Sequence, residues 1–65
     1  MKAAEARAMT PEALTTELEK TYKELFNLRQ RQAAKELTNY QEIRETRKKI
    51  ALIKTILRER ELARA

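Results

Sequence analysis

The chain contains no glycine and only one proline, Pro11, and these two facts restrict its fold more than any other feature. Glycine normally supplies left-handed turns, phosphate-cradling loops and the first turn of dinucleotide-binding folds, so none of these is indicated. The sequence is dominated by Ala, Leu, Glu, Lys, Arg and Gln, which favour helices. No segment alternates apolar and polar residues for long, as a half-buried strand would. The sequence therefore predicts an all-α protein.

The length limits how much core the chain can build. With 65 residues, the chain is expected to form one domain over 1–65 whose own core is marginal. A domain of this size usually needs an additional source of stability. Disulfides are excluded because the chain has no cysteine, and a structural zinc site is disfavoured because histidine is absent as well. Long helices and a binding partner remain as the possible sources of additional stability.

The first helix boundary is predicted around Pro11. Thr10 can cap the helix, and Pro11 suits the first helical position because its missing N–H has no partner there in any case. Met9 and Leu14 have the spacing of a hydrophobic staple across this cap. Helix A is therefore predicted over about 11–36. Residues 2–8 are expected to form a short preceding helical turn, with a basic arm or a frayed terminus as alternatives.

The second boundary is predicted over about 37–40. Thr38 with Gln41, or Asn39 with Glu42, fits the spacing of a capping box. Helix B is then predicted over about 40–62. Because so short a connection makes two helices antiparallel neighbours, the predicted architecture is a long antiparallel two-helix hairpin with a short N-terminal helical turn.

Apolar residues with helical spacing predict which faces of the two helices meet. In helix A this seam consists of Leu14, Leu18, Thr21, Leu25, Leu28 and Gln32. In helix B it consists of Ile43, Thr46, Ile50, Ile53 and Leu57. Tyr22 and Phe26 are expected to widen one flank of the core, with a role as base-stacking platforms as the alternative. Nothing is expected to cover the backs of the two helices.

Charge is distributed unevenly along the chain. Residues 1–28 carry four bases and five acids, whereas residues 29–65 carry eleven bases and five acids. Five bases of helix B fall within one sector about 120° wide at about 100° per residue. We call these residues the basic stripe: Arg44, Arg47, Lys48, Lys54 and Arg58.

The basic stripe favours a polyanion partner over an ordinary solvated surface. A solvated helix usually mixes the two signs as neighbouring pairs, whereas Arg44, Arg47, Lys54 and Arg58 are expected to lack neutralising partners. Ala51 would allow close approach of the helix backbone. In the hairpin, a second patch near the end of helix A is expected to join the stripe, with hydrogen-bonding side chains beside it. Its members are Arg29, Arg31 and Lys35, with Asn27 and Gln32. Such a surface suits structured RNA, which is recognised by shape and backbone.

Other function classes are poorly supported. The chain has no His, Cys, Ser or Asp, so no catalytic residue, cofactor, metal site or small-molecule substrate is predicted. No run of about 18 apolar residues predicts a membrane span, and no signal peptide is visible, so a cytoplasmic location is expected. Helix-turn-helix and basic-zipper layouts are absent. Polar seam residues such as Thr21, Gln32 and Thr46 disfavour a homomeric coiled coil.

Three segments of the chain resemble the bacterial ribosomal large-subunit protein twenty-nine family. The first is Phe26-Asn27-Leu28-Arg29 followed by Gln32, which is similar to that family's FNLR-x-x-Q segment. The second, from Arg44 to Leu57, is similar to its R-x-x-R-x-x-I-A-x-x-K-T-x-L segment. The third is the opening K-A-x-E-x-R pattern over residues 2–7. Two positions depart from the family's pattern. Ala6 stands where a leucine is common, and Leu52 stands where a basic residue is common.

The resemblance implies a non-catalytic structural constituent of the large ribosomal subunit. It implies a helical hairpin on ribosomal RNA (rRNA) near the polypeptide exit tunnel, beside ribosomal protein twenty-three and near a chaperone or targeting factor. It also implies specific rRNA contacts, at Asn27, Arg29, Gln32, Arg44, Arg47, Lys54 and Thr55. The residues themselves add Lys48 and Arg58 from the basic stripe. The alternative hypothesis is a free helical-hairpin adaptor that binds a protein through its acidic N-terminal half.

Overall fold

Three helices form the computed structural model, which describes residues 2–36 and 39–64. They are α1 (Ala3–Arg7), α2 (Pro11–Ala33) and α3 (Tyr40–Arg64). The described part is a rod of 45 × 17 × 16 Å. The all-α hairpin with a short N-terminal helix is thus confirmed. No helix within the described ranges is long and apolar enough to cross a bilayer.

The start of α2 agrees with the sequence prediction. The Thr10 side chain accepts a hydrogen bond from the Ala13 backbone N–H at 3.1 Å, and Pro11 occupies the first turn. Met9 packs against the buried cluster that contains Leu14, as the staple requires. This end of the helix is therefore fixed by both a polar cap and an apolar contact.

Two apolar clusters hold α2 against α3. Leu14 lies with Ile53 and Ile56, whereas Leu25 lies with Ile43 and Ile50. The start of α2 therefore contacts the later part of α3, and the later part of α2 contacts the start of α3, so the two helices are antiparallel. The seam residues named from the sequence are buried or half-buried, and Thr21 is fully buried with its hydroxyl donating to the Glu17 carbonyl at 2.7 Å.

The N-terminal helix α1 is packed onto the C-terminal part of α3, so the expectation that nothing covers the backs of the helices is wrong for this part of α3. Ala6 of α1 is fully buried in one cluster with Ile56 of α3. The Arg60 guanidinium Nη2 donates to the Arg7 backbone carbonyl at 2.7 Å. This bond satisfies a carbonyl that the C-terminus of α1 leaves without a helical partner. Residues 3–7 are therefore held on α3 by both an apolar contact and a hydrogen bond.

Helix α2 ends at Ala33, three residues earlier than the sequence indicates. The chain turns out of the helix at Lys35, whose φ of 61° lies in the left-handed region. The Lys35 N–H donates to the Gln32 carbonyl and the Glu36 N–H donates to the Arg31 carbonyl, each at 2.9 Å. These two bonds form a Schellman motif, which usually contains glycine at the position that Lys35 holds.

The start of α3 is capped by Asn39, whose Oδ1 accepts from the Gln41 backbone N–H at 3.0 Å. This contact agrees with Asn39 as the capping residue. The alternative cap at Thr38, and the part of the predicted turn at residues 37 and 38, lie outside the described residues.

Two aromatic residues of α2 are exposed, so the expectation that they widen the core is wrong. Tyr22 is 44% exposed and Phe26 is 63% exposed. Both lie about 80–120° from the centre of the α2 seam. Since the described residues provide no third element over this side of α2, the rings face solvent.

Candidate nucleic-acid interface

The basic stripe is a continuous exposed surface along α3. All five of its residues are exposed, and so are Ala51 and Thr55 between them. From Arg44 to Arg58 the stripe spans about 21 Å at 1.5 Å per residue. One rigid helix therefore presents five cations along a line long enough to follow several phosphates.

Ion pairing leaves most of the stripe available. Arg58 Nη1 lies 3.2 Å from Glu61 Oε2, so the expectation that Arg58 lacks a neutralising partner is wrong. The reason is the i,i+3 spacing of the two residues in the last turns of α3. Arg44, Arg47, Lys48 and Lys54 form no ion pair within residues 2–36 and 39–64. A polyanion can bind these four without first displacing an acid.

Thr55 differs from its basic neighbours because its donor is already engaged. Its hydroxyl donates to the Ala51 carbonyl at 2.8 Å. It can accept a hydrogen bond as it stands, but must rotate before it donates to a phosphate oxygen. Thr55 therefore suits a smaller role than the cations beside it.

The opposite side of the hairpin is a groove of mixed charge. We call it the mixed-charge groove, and its lining residues are Glu24, Asn27, Leu28, Arg31, Glu42, Glu45, Thr46 and Lys49. Asn27 and Arg31 thus lie among three carboxylates, away from the basic stripe. The structure therefore does not bring these two residues of α2 together with the stripe.

Arg29 and Gln32 occupy different positions around α2. Arg29 is exposed and lies about 160° around the helix from Asn27, which places it on the same side of the hairpin as the stripe. Gln32 is half-buried in line with the seam, where its amide is less accessible. Of the predicted α2 contacts, Arg29 is therefore the one that extends the basic surface.

Lys49 and Glu17 form a link between the helices that the sequence prediction missed. Lys49 Nζ lies 2.7 Å from Glu17 Oε1, and both side chains are about three-quarters buried. The hydrogen bond from Lys49 is the main cause of the lowered pKa of Glu17, and burial opposes it. Because Lys49 lies beside the seam and outside the stripe, a helical wheel that paired seam-edge charges would have found it.

Comparison with known proteins identifies the chain. The model of the family described as Ribosomal L29 protein matches residues 4–60. The chain belongs to this family. It is 53% identical to large ribosomal subunit protein uL29 of Caldicellulosiruptor bescii over 95% of this chain and 86% of the relative. It is 55% identical to the uL29 protein of Thermosipho africanus over 95% of this chain and 94% of the relative.

Membership in the ribosomal L29 family confirms the broad functional prediction. The family is a structural, non-enzymatic component of the ribosome, so the chain is a ribosomal constituent and not an enzyme. Its expected location, bound to ribosomes in the bacterial cytoplasm, is confirmed in the same way.

Proposed function

We propose that the chain binds large-subunit rRNA through the basic stripe, close to the polypeptide exit tunnel. The observation that carries this proposal is that Arg44, Arg47, Lys48 and Lys54 are exposed on one side of α3 and form no ion pair within the described residues. The location near the exit tunnel is supported by the family resemblance rather than by this geometry.

The mechanism is neutralisation of phosphates by a rigid scaffold. Bringing two rRNA segments together is opposed by repulsion between their phosphates, and cations held between them reduce it. Arginine can bind a phosphate through two parallel hydrogen bonds, whereas lysine acts as a point charge. Each contact releases condensed counterions, so binding weakens steeply as salt rises. The hairpin positions these cations before binding, which lowers the entropic cost of ordering them.

The remaining predicted contacts divide between the two sides of the hairpin. Arg29 extends the basic stripe onto α2, Arg58 ends it beside its partner Glu61, and Thr55 adds a hydrogen bond within it. Asn27 lies in the mixed-charge groove among three carboxylates, which makes it the least favourable of the predicted rRNA contacts. Gln32 is half-buried and contributes through its exposed edge only.

The mixed-charge groove is the side we assign to protein neighbours. Its acids would repel RNA, while its mixture of charges and apolar Leu28 resembles the polar surfaces through which proteins meet. The family resemblance implies ribosomal protein twenty-three and a chaperone or targeting factor as neighbours, and we propose that they meet the chain on this side.

Sedimentation of a gently prepared lysate tests the proposal. We expect the chain to migrate with the large subunit at low salt and to leave it only at roughly molar salt. Lys54→Gln should lower the salt concentration of release, and the matched control Lys20→Gln, an exposed lysine of α2 away from the stripe, should not. A chain found only at the top of the gradient at low salt would favour the adaptor hypothesis instead.

A further inference from the structure

Phe26 and Tyr22 form an exposed aromatic pair on α2. They are four residues apart, so their rings are neighbours on one helix surface. Phe26 is 63% exposed and Tyr22 is 44% exposed. Leaving both rings in water forgoes the stabilisation that burial of aromatic side chains normally provides. A pair placed in this way is better explained by contact with another molecule than by the hairpin itself.

The pair lies on the same side of the hairpin as the basic stripe. Thr15 of α2 lines one groove together with Lys54 and Arg58 of the stripe. Tyr22 follows Thr15 by seven residues, which is about two helical turns, so it points to the same side. The side that carries the stripe therefore carries aromatic surface as well.

The pair also lies level with the first half of the stripe. Leu25 lies in one buried cluster with Ile43 and Ile50 of α3. Phe26 is the next residue along α2, and Arg44 and Arg47 lie within the stretch of α3 that those two isoleucines bound. An RNA strand seated on Arg44 and Arg47 is consequently flanked by the Phe26 ring.

The local charge indicates what kind of molecule covers this aromatic surface. The residues one turn to either side of Phe26 are Tyr22, Lys23, Arg29 and Gln30, and none of them is acidic. The acid on this face is Glu19, one turn before Tyr22 and two turns before Phe26, so the Phe26 end of the pair is the more favourable for a polyanion. A nucleic acid supplies phosphates for the cations and flat base faces for the rings at the same time. A protein would need an acidic surface with a matching apolar centre to satisfy both.

We propose that Phe26, assisted by Tyr22, stacks on unpaired bases of the same RNA whose phosphates the basic stripe binds. This inference rests on the proposed function and extends it from backbone contact to recognition of an unpaired segment. Stacking involves no counterion release, so its contribution should be nearly independent of salt, unlike that of the stripe.

The first test measures the affinity of the full chain for large-subunit rRNA at several salt concentrations. Phe26→Leu keeps much of the apolar area and removes the ring. We expect it to weaken binding by about five-fold or more at every salt concentration, with an unchanged slope of log affinity against log salt. Phe26→Tyr keeps the ring and should bind like the original chain. Far-UV circular dichroism should show full helicity for both, since the side chain is largely exposed.

The second test identifies the residue that touches the base. Short-wavelength UV light joins stacked aromatic rings to nucleobases, and trypsin separates the two rings into peptides 21–23 and 24–29. Irradiated large subunits should yield a nucleotide adduct on peptide 24–29. A photoreactive phenylalanine analogue at position 26 should likewise join to RNA.

The outcomes separate this inference from the proposed function. Unchanged affinity of Phe26→Leu, together with a reduced salt slope for Arg47→Gln, would overturn the stacking proposal and leave the basic stripe intact. A photoreactive analogue at position 26 that joins to a protein would overturn it also, in favour of a protein contact. Absence of the chain from the large subunit would instead overturn the proposed function itself.

Discussion

Replacing Lys35 by glycine should stabilise the hairpin, although glycine usually destabilises helical proteins. Lys35 has a φ of 61° at the end of α2, which costs a non-glycine residue about 1–2 kcal/mol. Glycine avoids this cost but loses more backbone entropy on folding, by about 0.5–1 kcal/mol. The net gain in the free energy of unfolding should be about 0.5–1 kcal/mol, measured against Lys35→Ala.

The alanine variant is the appropriate reference because both substitutions remove the same charge. A lysine near a helix C-terminus interacts favourably with the helix dipole by about 0.3–1 kcal/mol, and this loss is common to the two variants. Thermal unfolding followed by circular dichroism should place the Tm of Lys35→Gly about 2–8 °C above that of Lys35→Ala.

The sign of the effect depends on the position. Ala33→Gly, two residues earlier and still helical, should lower the free energy of unfolding by up to about 1 kcal/mol. If Lys35→Gly were less stable than Lys35→Ala, the Schellman motif at this end of α2 would not be present in solution.

Three further predictions concern the ion pair, the cap and the short helix. Because the pKa of Glu17 is lowered in the folded state, its pair with Lys49 stabilises the fold fully above the ordinary glutamate pKa of about 4.3, and this stabilisation is lost as the pH falls through and below that value. Lys49→Met should flatten this part of the pH dependence of urea unfolding. Thr10→Ala should lower the free energy of unfolding by about 1 kcal/mol, while Thr10→Ser should preserve it. Ile56→Ala should cost about 2–5 kcal/mol and loosen α1, so that trypsin cleaves after Arg7 faster than in the original chain.

Each of these predictions has a result that would contradict it. If the free energy of unfolding of Lys49→Met fell with acid pH just as that of the original chain does, the pKa of Glu17 would not depend on Lys49. Equal stability of Thr10→Ala and Thr10→Ser would mean that the hydroxyl does not cap α2. Unchanged cleavage after Arg7 in Ile56→Ala would mean that α1 is not held by that apolar cluster.

Helical periodicity was sufficient to predict the contact between α2 and α3. Leu14, Leu25, Ile43, Ile50 and Ile53 recur at spacings that place them on facing sides, and all five are buried. The start of α2 was equally predictable, because Thr10 and Pro11 are a strong local signal. These features depend on residues close together in the sequence.

Prediction from the sequence was less accurate for contacts between residues far apart in the chain and for a turn that contains no glycine. Ile56 lies at the edge of the α3 seam, and its burial depends on Ala6, fifty residues earlier. The end of α2 was placed too late because its left-handed residue is Lys35 rather than glycine. The exposure of Phe26 was missed because a ring about 120° from the centre of the α2 seam lies beyond the reach of the single facing helix.

The candidate interface was predicted in part for the same reasons. The basic stripe follows from one helix, so its exposed line of cations could be derived from spacing alone. How residues of α2 are distributed around the hairpin depends on the rotation of one helix against the other. That rotation places Asn27 in the mixed-charge groove and Arg29 on the side of the stripe.

The central claim is that the basic stripe, rather than the net charge of the chain, binds large-subunit rRNA. Its most direct test is the salt dependence of binding for two matched variants, Arg47→Gln in the stripe and Arg31→Gln in the mixed-charge groove. Each removes one exposed arginine and the same charge. We predict that Arg47→Gln reduces the log–log salt slope by about one unit, while Arg31→Gln leaves it unchanged. Equal slopes for the two variants would contradict the account.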